Sequence, residues 1–290
     1  VSRLKTVGKL LFFIGIPMIP LAVFWFFPMF VSIWLSFTNW DYISPTFDYV
    51  GVENYTTTLT SADFYQALWN TALFAVMTII PTIIIGLLLA LLLRKGLKGE
   101  TWFRAFLFSP WITPMVAMSI VWTWIYEPDV GLMNQVLGWF HLPQPDWLTD
   151  SDTAIWAIII VTVWKNAGWA MLFYSDALSK IPNDLYEVSH LEGASGLQRI
   201  KTVVLPLVSP TTLFLAIVSA INAIQAYDQI QVMTQGGPSG STRTLLYLYY
   251  QMAFEQFQMG QATALATIIV VFTMLLSLIM FYASKRWVHY

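Results

Sequence analysis

Cysteine is absent from the 290 residues, and charge is scarce: Asp, Glu, Lys and Arg together make up 10% of the chain, against about 25% in a soluble domain. Without cysteine there is no disulfide, no thiolate nucleophile and no Cys-ligated metal to propose. The three histidines, His141, His190 and His289, fall in segments between or after the apolar runs. No G-x-x-x-x-G-K-[ST] loop is present, so nucleotide phosphates have no such cradle on this chain. No apolar run carries an arginine ladder, which excludes a voltage sensor. A proton-coupled carrier would want carboxylates inside the membrane, and only Asp228, near a helix end, approaches that condition.

What fills the chain instead is hydrophobic residues, 57% of it. Leu10 to Trp40, Phe64 to Leu93, Ala105 to Tyr126, Thr202 to Tyr227 and Gln256 to Ser284 are free of Lys, Arg, Asp and Glu. Each reaches the roughly 20 residues that a spanning helix needs. A sixth run, Thr153 to Ser175, is interrupted by Lys165. Backbone groups in lipid must be satisfied within the segment, and the short alternating strands of an outer-membrane barrel are not seen. The expectation is an all-α polytopic membrane protein of six helices, near residues 10–37, 66–93, 105–126, 153–175, 204–227 and 260–284, forming one domain over 1–290. The first run is too long for the core of a signal peptide and no small-residue cleavage site follows it.

Lys and Arg set the orientation. Arg3, Lys5 and Lys9, then Arg94, Lys95, Lys98 and Arg104, then Lys180, Arg199 and Lys201, then Lys285 and Arg286 place twelve of the fourteen basic residues on one side. Both termini are expected in the cytoplasm. Outer loops are rich in turn formers, and their Trp40, Tyr42, Trp139 and Trp147 fit an interfacial aromatic belt. Pro17, Pro20, Pro28, Pro81, Pro110 and Pro114 each remove a donor from the first three helices and invite kinks.

Two features carry chemistry. Lys165 lies roughly 18 Å along the fourth helix at 1.5 Å per residue, near mid-membrane, where an ammonium needs water or a partner; Asn166 follows it. On the fifth helix Ser219, Asn222, Gln225 and Asp228 recur every three residues. Such a stripe either binds a hydroxyl-rich solute or glues helices together. Trp164, Trp169 and Tyr227 offer faces for stacking or for packing.

The other feature is the polar run "EVSHLEGASGLQRIKTVVLP", Glu187 to Pro206. Leu185, Val188 and Leu191 give one apolar stripe, Gly193 a left-handed stop, and Ser195 with Gln198 a capping box opening a second helix. A helix, glycine turn and helix of this kind is either a docking surface or an amphipathic loop on the headgroups. Its spacing resembles the signature loop of ABC importer permeases: Glu187-Val188-Ser189 stands for Glu-Ala-Ala, then Gly193, then Val203, any residue, and Leu205-Pro206. Val188, Ser189 and Val203 depart from the pattern, as does Glu192, where sugar permeases usually carry Asp. "GVENY" (Gly51 to Tyr55), "ALWNTALF" (Ala67 to Phe74), "TQGGPSGST" (Thr234 to Thr242) and "YQMAFEQFQMGQATA" (Tyr250 to Ala264) resemble stretches of the maltose-type and glycerol-phosphate-type members.

The resemblance implies a permease subunit of a sugar or oligosaccharide importer in a prokaryotic plasma membrane, or of one for glycerol phosphate or a glycerophosphodiester. It implies ATPase coupling through Tyr186, Glu187, Val188, Ser189, Leu191, Gly193, Ala194, Leu205 and Pro206 in a loop over 180–203. Lys165, Asn166, Trp169, Ser219, Asn222 and Gln225 would meet the solute, and Gly236, Gly237 and Pro238 an outer partner. The implied partners are a second, homologous permease in a heterodimer, two cytoplasmic ATPase subunits holding ATP and Mg, an extracellular solute-binding protein and membrane lipid. No cofactor on this chain and no nucleic acid is expected. A rival comes from Gly237-Pro238-Ser239-Gly240, which matches the G-x-S-G of rhomboid-like intramembrane proteases, but that enzyme needs the serine at a helix start with a histidine on a neighbouring helix.

Overall fold

The computed structural model describes residues 2–94 and 99–285, with side chains from residue 12 onward. Lys95, Lys98, Arg286 and His289, and the side chains of Arg3, Lys5 and Lys9, lie outside the described residues. Among the described residues the structure is helical, with one isolated bridge between Thr38 and Tyr49. Among the described residues four helices are long and apolar enough to cross a membrane: Phe12–Leu35, Ala62–Leu93, Ala154–Ser179 and Met259–Ser284. Two bent pairs, Glu100–Ile112 with Met115–Ile125 and Gly196–Leu207 with Ser209–Ile224, raise the number to six if each pair is one span.

A kink in the span expected at 105–126 agrees with its prolines, whereas the bend in the span expected at 204–227 was not anticipated. Glu100–Ile112 and Met115–Ile125 meet at 99°, because Thr113 (ψ 136) and Pro114 (ψ 139) are extended. A residue before proline is driven out of the α region by the pyrrolidine ring. The fifth span bends by 67° around Val208 and its last helical residue is Ile224, with Gln225 as the cap. Pro81 and Pro110 remain inside helices. Before Pro28 and Pro206 the chain adopts five-residue π turns, Ala22–Phe26 and Ile200–Val204, a local widening that accommodates the missing donor.

The chain divides into two compact units, Val1–Ser61 with Tyr249–Val270, and Ala62–Leu248 with Val271–Tyr290. In the first, the end of the opening span is closed by the "GVENY" segment. Asn54 Nδ2 donates to the carbonyls of Ser36 (2.8 Å) and Thr38 (2.7 Å), carbonyls that a helix end leaves without intrahelical donors. Ser36 Oγ and Tyr55 OH share a hydrogen bond of 2.6 Å, and Gly260 N donates to Trp40 O at 2.9 Å.

In the second unit Ala62–Leu93 and Ala154–Ser179 form the central pair. Asn70, Phe74, Thr78, Thr82, Gly86 and Ala90, all buried, recur every four residues along the second span, a ridge of the kind that packs into a neighbouring groove. Towards its C-terminal end Gly86 lets the fourth span approach: a Cβ there would lie 2.6 Å from Ala170 Cβ. Below it Ala90, Leu93, Met171, Tyr174, Leu178 and Leu215 make the core. Small residues at a helix contact are how membrane helices gain van der Waals contact when lipid removes the hydrophobic drive.

Gly168 does the same against the third span, where a Cβ would come within 1.9 Å of Leu107 O. Backbone cannot yield as a flexible side chain can. Gly168→Ala is therefore expected to destabilise the protein by about 1–3 kcal/mol through overpacking, seen as a lowered unfolding midpoint of the purified protein in detergent. An unchanged midpoint would contradict the close approach.

Candidate functional site

The bend at Thr113–Pro114 creates an electrostatic problem. Carbonyls in the last turn of Glu100–Ile112 lose their usual donors, and they carry the negative end of the helix dipole. Lys165 answers both. From the middle of Ala154–Ser179 its Nζ donates to Pro110 O (3.0 Å), Trp111 O (2.9 Å) and Thr113 O (2.8 Å). A lysine ammonium has three N–H donors, so all are engaged by backbone. The residue is 9% exposed, and charge-assisted hydrogen bonds are the stronger class.

Beside this bend lies a cavity of about 410 Å³. Its walls come from the second span (Phe74, Thr78, Thr82), the bend (Trp111, Met115), the fourth span (Thr162, Lys165, Asn166, Trp169) and the fifth with the turn after it (Val218 to Gln229 in part). All six residues singled out for solute contact, Lys165, Asn166, Trp169, Ser219, Asn222 and Gln225, line this one cavity. Asp228 and Tyr227 line it too, although the helix has already ended at Ile224 and Asp228 opens a separate short helix, Asp228–Met233. Asn166 Nδ2 donates to Thr162 O at 2.9 Å. The side chains of Ser219, Asn222 and Gln225 make no hydrogen bond to any described residue. Polar groups that glue helices would be paired across the contact; these three face open space and keep their donors and acceptors available.

Trp164 belongs elsewhere. It packs edge-on to Trp122 at 5.3 Å and lines a larger, mainly apolar cavity of about 760 Å³ between the second, third and fourth spans. The sequence reading missed Thr78, Thr82 and Trp111, whose signal was the four-residue ridge on the second span and the tryptophan two places before Thr113.

The Gly236-Gly237-Pro238 turn is bound to the start of the second span. Gly236 sits at φ 76, and a side chain there would strike the Tyr247 ring at 2.5 Å. Thr242 Oγ1 donates to Gly237 O at 2.7 Å. Asn70 Nδ2 donates to the carbonyls of Gly240 (2.8 Å) and Arg243 (3.0 Å), while Arg243 pairs with Asp63 at 2.6 Å and Gln66 at 3.1 Å. Asp63, Gln66 and Asn70 share one helix face, a polar stripe the sequence reading also missed. Ser239, with φ 50, lies in this turn, not at a helix start, and its carbonyl accepts from Gln66 Nε2 at 3.2 Å.

The signature run forms the helix Asn183–Leu191, a left-handed Gly193 (φ 75) and a second helix from Gly196. Ser195 and Gln198 make the reciprocal capping box. Tyr186 lies under the Arg94 guanidinium, 4.0 Å from ring centroid, and Ser189 is buried. Leu185, Val188, Leu191 and Leu197 project outward, Leu191 with 87% of its surface exposed. Glu187 and Gly193 are exposed, Ala194 and Pro206 half-buried, and Leu205 is exposed. The apolar stripe thus faces away from the rest of the chain.

Residues 82–289 match the family model described as binding-protein-dependent transport system inner membrane component. The chain is 31% identical to the trehalose/maltose transport system permease of Thermococcus litoralis, over 93% of this chain and 92% of that one. It is 28% identical to the sn-glycerol-3-phosphate transport system permease of Brucella abortus, over 96% of each. Among solved structures, a chain of a bacterial alginate ABC transporter, crystallised in complex with an alginate pentasaccharide-bound periplasmic protein, superimposes with a TM-score of 0.84 at 20% identity, covering 99% of this chain and 97% of that one.

Lys165→Met should leave the bend's carbonyls without donors. An unsatisfied buried polar group costs about 1–3 kcal/mol, so the variant's unfolding midpoint in detergent should fall clearly below that of Asn166→Ala. Equal midpoints would show that the three hydrogen bonds do not hold the bend.

Proposed function

The chain belongs to the family of binding-protein-dependent transport system inner membrane components, and from that premise we propose that its solute is a sugar or oligosaccharide. It is a multi-pass membrane protein and a transport subunit, not an enzyme. The observation that carries the sugar reading is the cavity in which Ser219, Asn222 and Gln225 keep unpaired polar side chains beside Asn166. A sugar hydroxyl both donates and accepts, as amide and hydroxyl side chains do. Glycerol phosphate would need a cation free to pair with its phosphate. Lys165, the one Lys or Arg that lines the cavity among the described residues, has all three N–H groups on backbone carbonyls.

Import would follow alternating access between this chain and a second permease, with the solute delivered by a binding protein from outside. ATP and Mg would be held by separate ATPase subunits in the cytoplasm. The outward-facing stripe of Leu185, Val188 and Leu191, with exposed Glu187 on the same short helix, supports docking of that ATPase against residues 180–203. Basic residues around this loop and Arg104 support its placement on the cytoplasmic side together with both termini. The clamped Gly236-Gly237-Pro238 turn, on the opposite side by the same rule, would offer the binding protein a fixed surface.

Two measurements in proteoliposomes containing the complete importer test this. Asn222→Ala and Gln225→Ala should each cost about 1–1.5 kcal/mol of solute binding, a loss of roughly five- to tenfold in apparent affinity for uptake. Gly193→Pro cannot adopt the left-handed turn and should abolish ligand-stimulated ATP hydrolysis, with Glu187→Ala reducing it. Hydrolysis that ignores both loop variants would return the loop to an amphipathic segment on the headgroups.

A further inference from the structure

The short helix Leu132–Trp139, between the third and fourth spans, has its polarity reversed for a loop in water. Leu132, Val136, Trp139 and Phe140 recur at the spacing of one helix face, and all four are exposed, Trp139 at 75%. Its polar side faces inward. Buried Asn134 donates through Nδ2 to Pro128 O (3.1 Å) and Pro145 O (3.2 Å), and its Oδ1 accepts the Trp147 indole N–H at 2.8 Å. The flanking Gln135 turns its amide back onto Val130 O at 2.9 Å. A contiguous apolar surface of this kind marks a contact with a protein or a membrane.

The position of the helix decides between the two. Tyr126, the cap of the third span, donates from its hydroxyl to Ala157 O at 3.1 Å, three residues into the fourth span and so about 5 Å from its start at Ala154. The chain then turns tightly. Glu127 Oε2 accepts from Asp129 N (2.8 Å) and Val130 N (3.0 Å), and a Cβ on Gly131 would lie 2.6 Å from Ile125 O. The helix therefore starts in contact with the last turn of a membrane span. Its outward side chains leave at the level where headgroups give way to acyl chains, the level at which tryptophan is enriched.

We propose that residues 132–140 form an interfacial foot, whose stripe of Leu132, Val136, Trp139 and Phe140 is embedded in the lipid surface of the leaflet where the fourth span begins. The stripe continues the exposed apolar surface of the third span, on which Ile120, Val121 and Trp124 are open. Residues 130 to 145 contain no Asp, Glu, Lys or Arg, while Asp129 and Asp146 stand immediately outside them. A protein partner would meet a polar, charged rim around such a patch; lipid needs none. An interfacial helix ordinarily keeps its polar face in water. Here the loop takes that face through Asn134, so hydrogen bonds hold the helix on one side and lipid on the other. The two loop tryptophans part company accordingly: Trp139 enters the interface, whereas Trp147 packs on Tyr126 at 5.2 Å. The foot would fix the depth of the joint between the third and fourth spans. It does not depend on the solute, so it stands or falls apart from the sugar reading.

The test places a nitroxide on Val136→Cys or Trp139→Cys, with Ser151→Cys in the same loop as the water-facing reference. Each is measured in the assembled importer, its other subunits free of cysteine, in vesicles of phosphatidylethanolamine and phosphatidylglycerol. Collisions with oxygen, which concentrates in lipid, are compared with collisions with a water-soluble nickel chelate. At both foot positions the ratio of oxygen to nickel collisions should exceed that at Ser151→Cys several-fold, and the depth it reports should be about 5–10 Å into the boundary between headgroups and acyl chains. Adding the binding protein should leave it unchanged. Nickel collisions as frequent as at Ser151→Cys overturn the proposal, because the stripe is then in water. Nickel access that the binding protein removes makes the stripe a protein docking face, and shielding from both reagents in the importer alone makes it an interface with the second permease; either result overturns the lipid assignment.

Discussion

A polar backbone group inside a membrane has to be answered by the protein, since lipid offers no hydrogen bonds. That constraint is sharpest where a spanning helix breaks, and at Thr113–Pro114 this chain turns through 99°. The answer is a single ammonium. Lys165 reaches across from the fourth span and holds three carbonyls at 2.8–3.0 Å. An isolated charge at that depth would be costly, and a helix end with unanswered carbonyls would be costly too. Each offsets the other, and the bend that results brings Trp111 and Met115 to the wall of the polar cavity.

The second span connects this region to both ends of its compact unit. Near its start, Asp63, Gln66 and Asn70 bind the Gly-Gly-Pro turn through five side-chain hydrogen bonds to Ser239, Gly240 and Arg243. In the middle, Phe74, Thr78 and Thr82 line the cavity. Towards its end Gly86 and Ala90 pack against the fourth span, and Arg94, just past the helix, covers Tyr186 of the signature helix. A ridge with a four-residue repeat runs through all three parts. Movement of the signature helix has a direct contact through which to act on this span.

Much of this could be read from residue order, and the failures have definite causes. Apolar run length marked the spans because lipid thickness sets it. The glycine turn and capping box of the signature run were legible because both are local: Gly193 needs a left-handed φ, and Ser195 and Gln198 satisfy each other's neighbours within one turn. Three-residue spacing brought Ser219, Asn222 and Gln225 to one wall, although it ran past the true helix end at Ile224 to Asp228. The role of Lys165 was not legible, because its partners lie 52 to 55 residues away in sequence and exist only after Pro114 has broken the third span. Which prolines bend a helix was equally hidden: Pro81 and Pro110 are tolerated, and only the local geometry at Thr113 distinguishes Pro114. The polar face of Asp63, Gln66 and Asn70 escaped notice because its partners are about 170 to 180 residues distant.

The central claim is that the solute occupies the cavity walled by Asn166, Asn222 and Gln225. Because the chain has no cysteine, one engineered thiol is the single labelling site on this subunit and can be followed on its band. We would place Asn222→Cys in the assembled importer and measure its labelling by a water-soluble maleimide with and without transported sugar, beside Ile160→Cys in the apolar cavity. The account predicts that Asn222→Cys is labelled during turnover and protected by sugar, while labelling of Ile160→Cys does not respond to it. Labelling of Asn222→Cys that is absent in every state, or indifferent to sugar during active uptake, would contradict it.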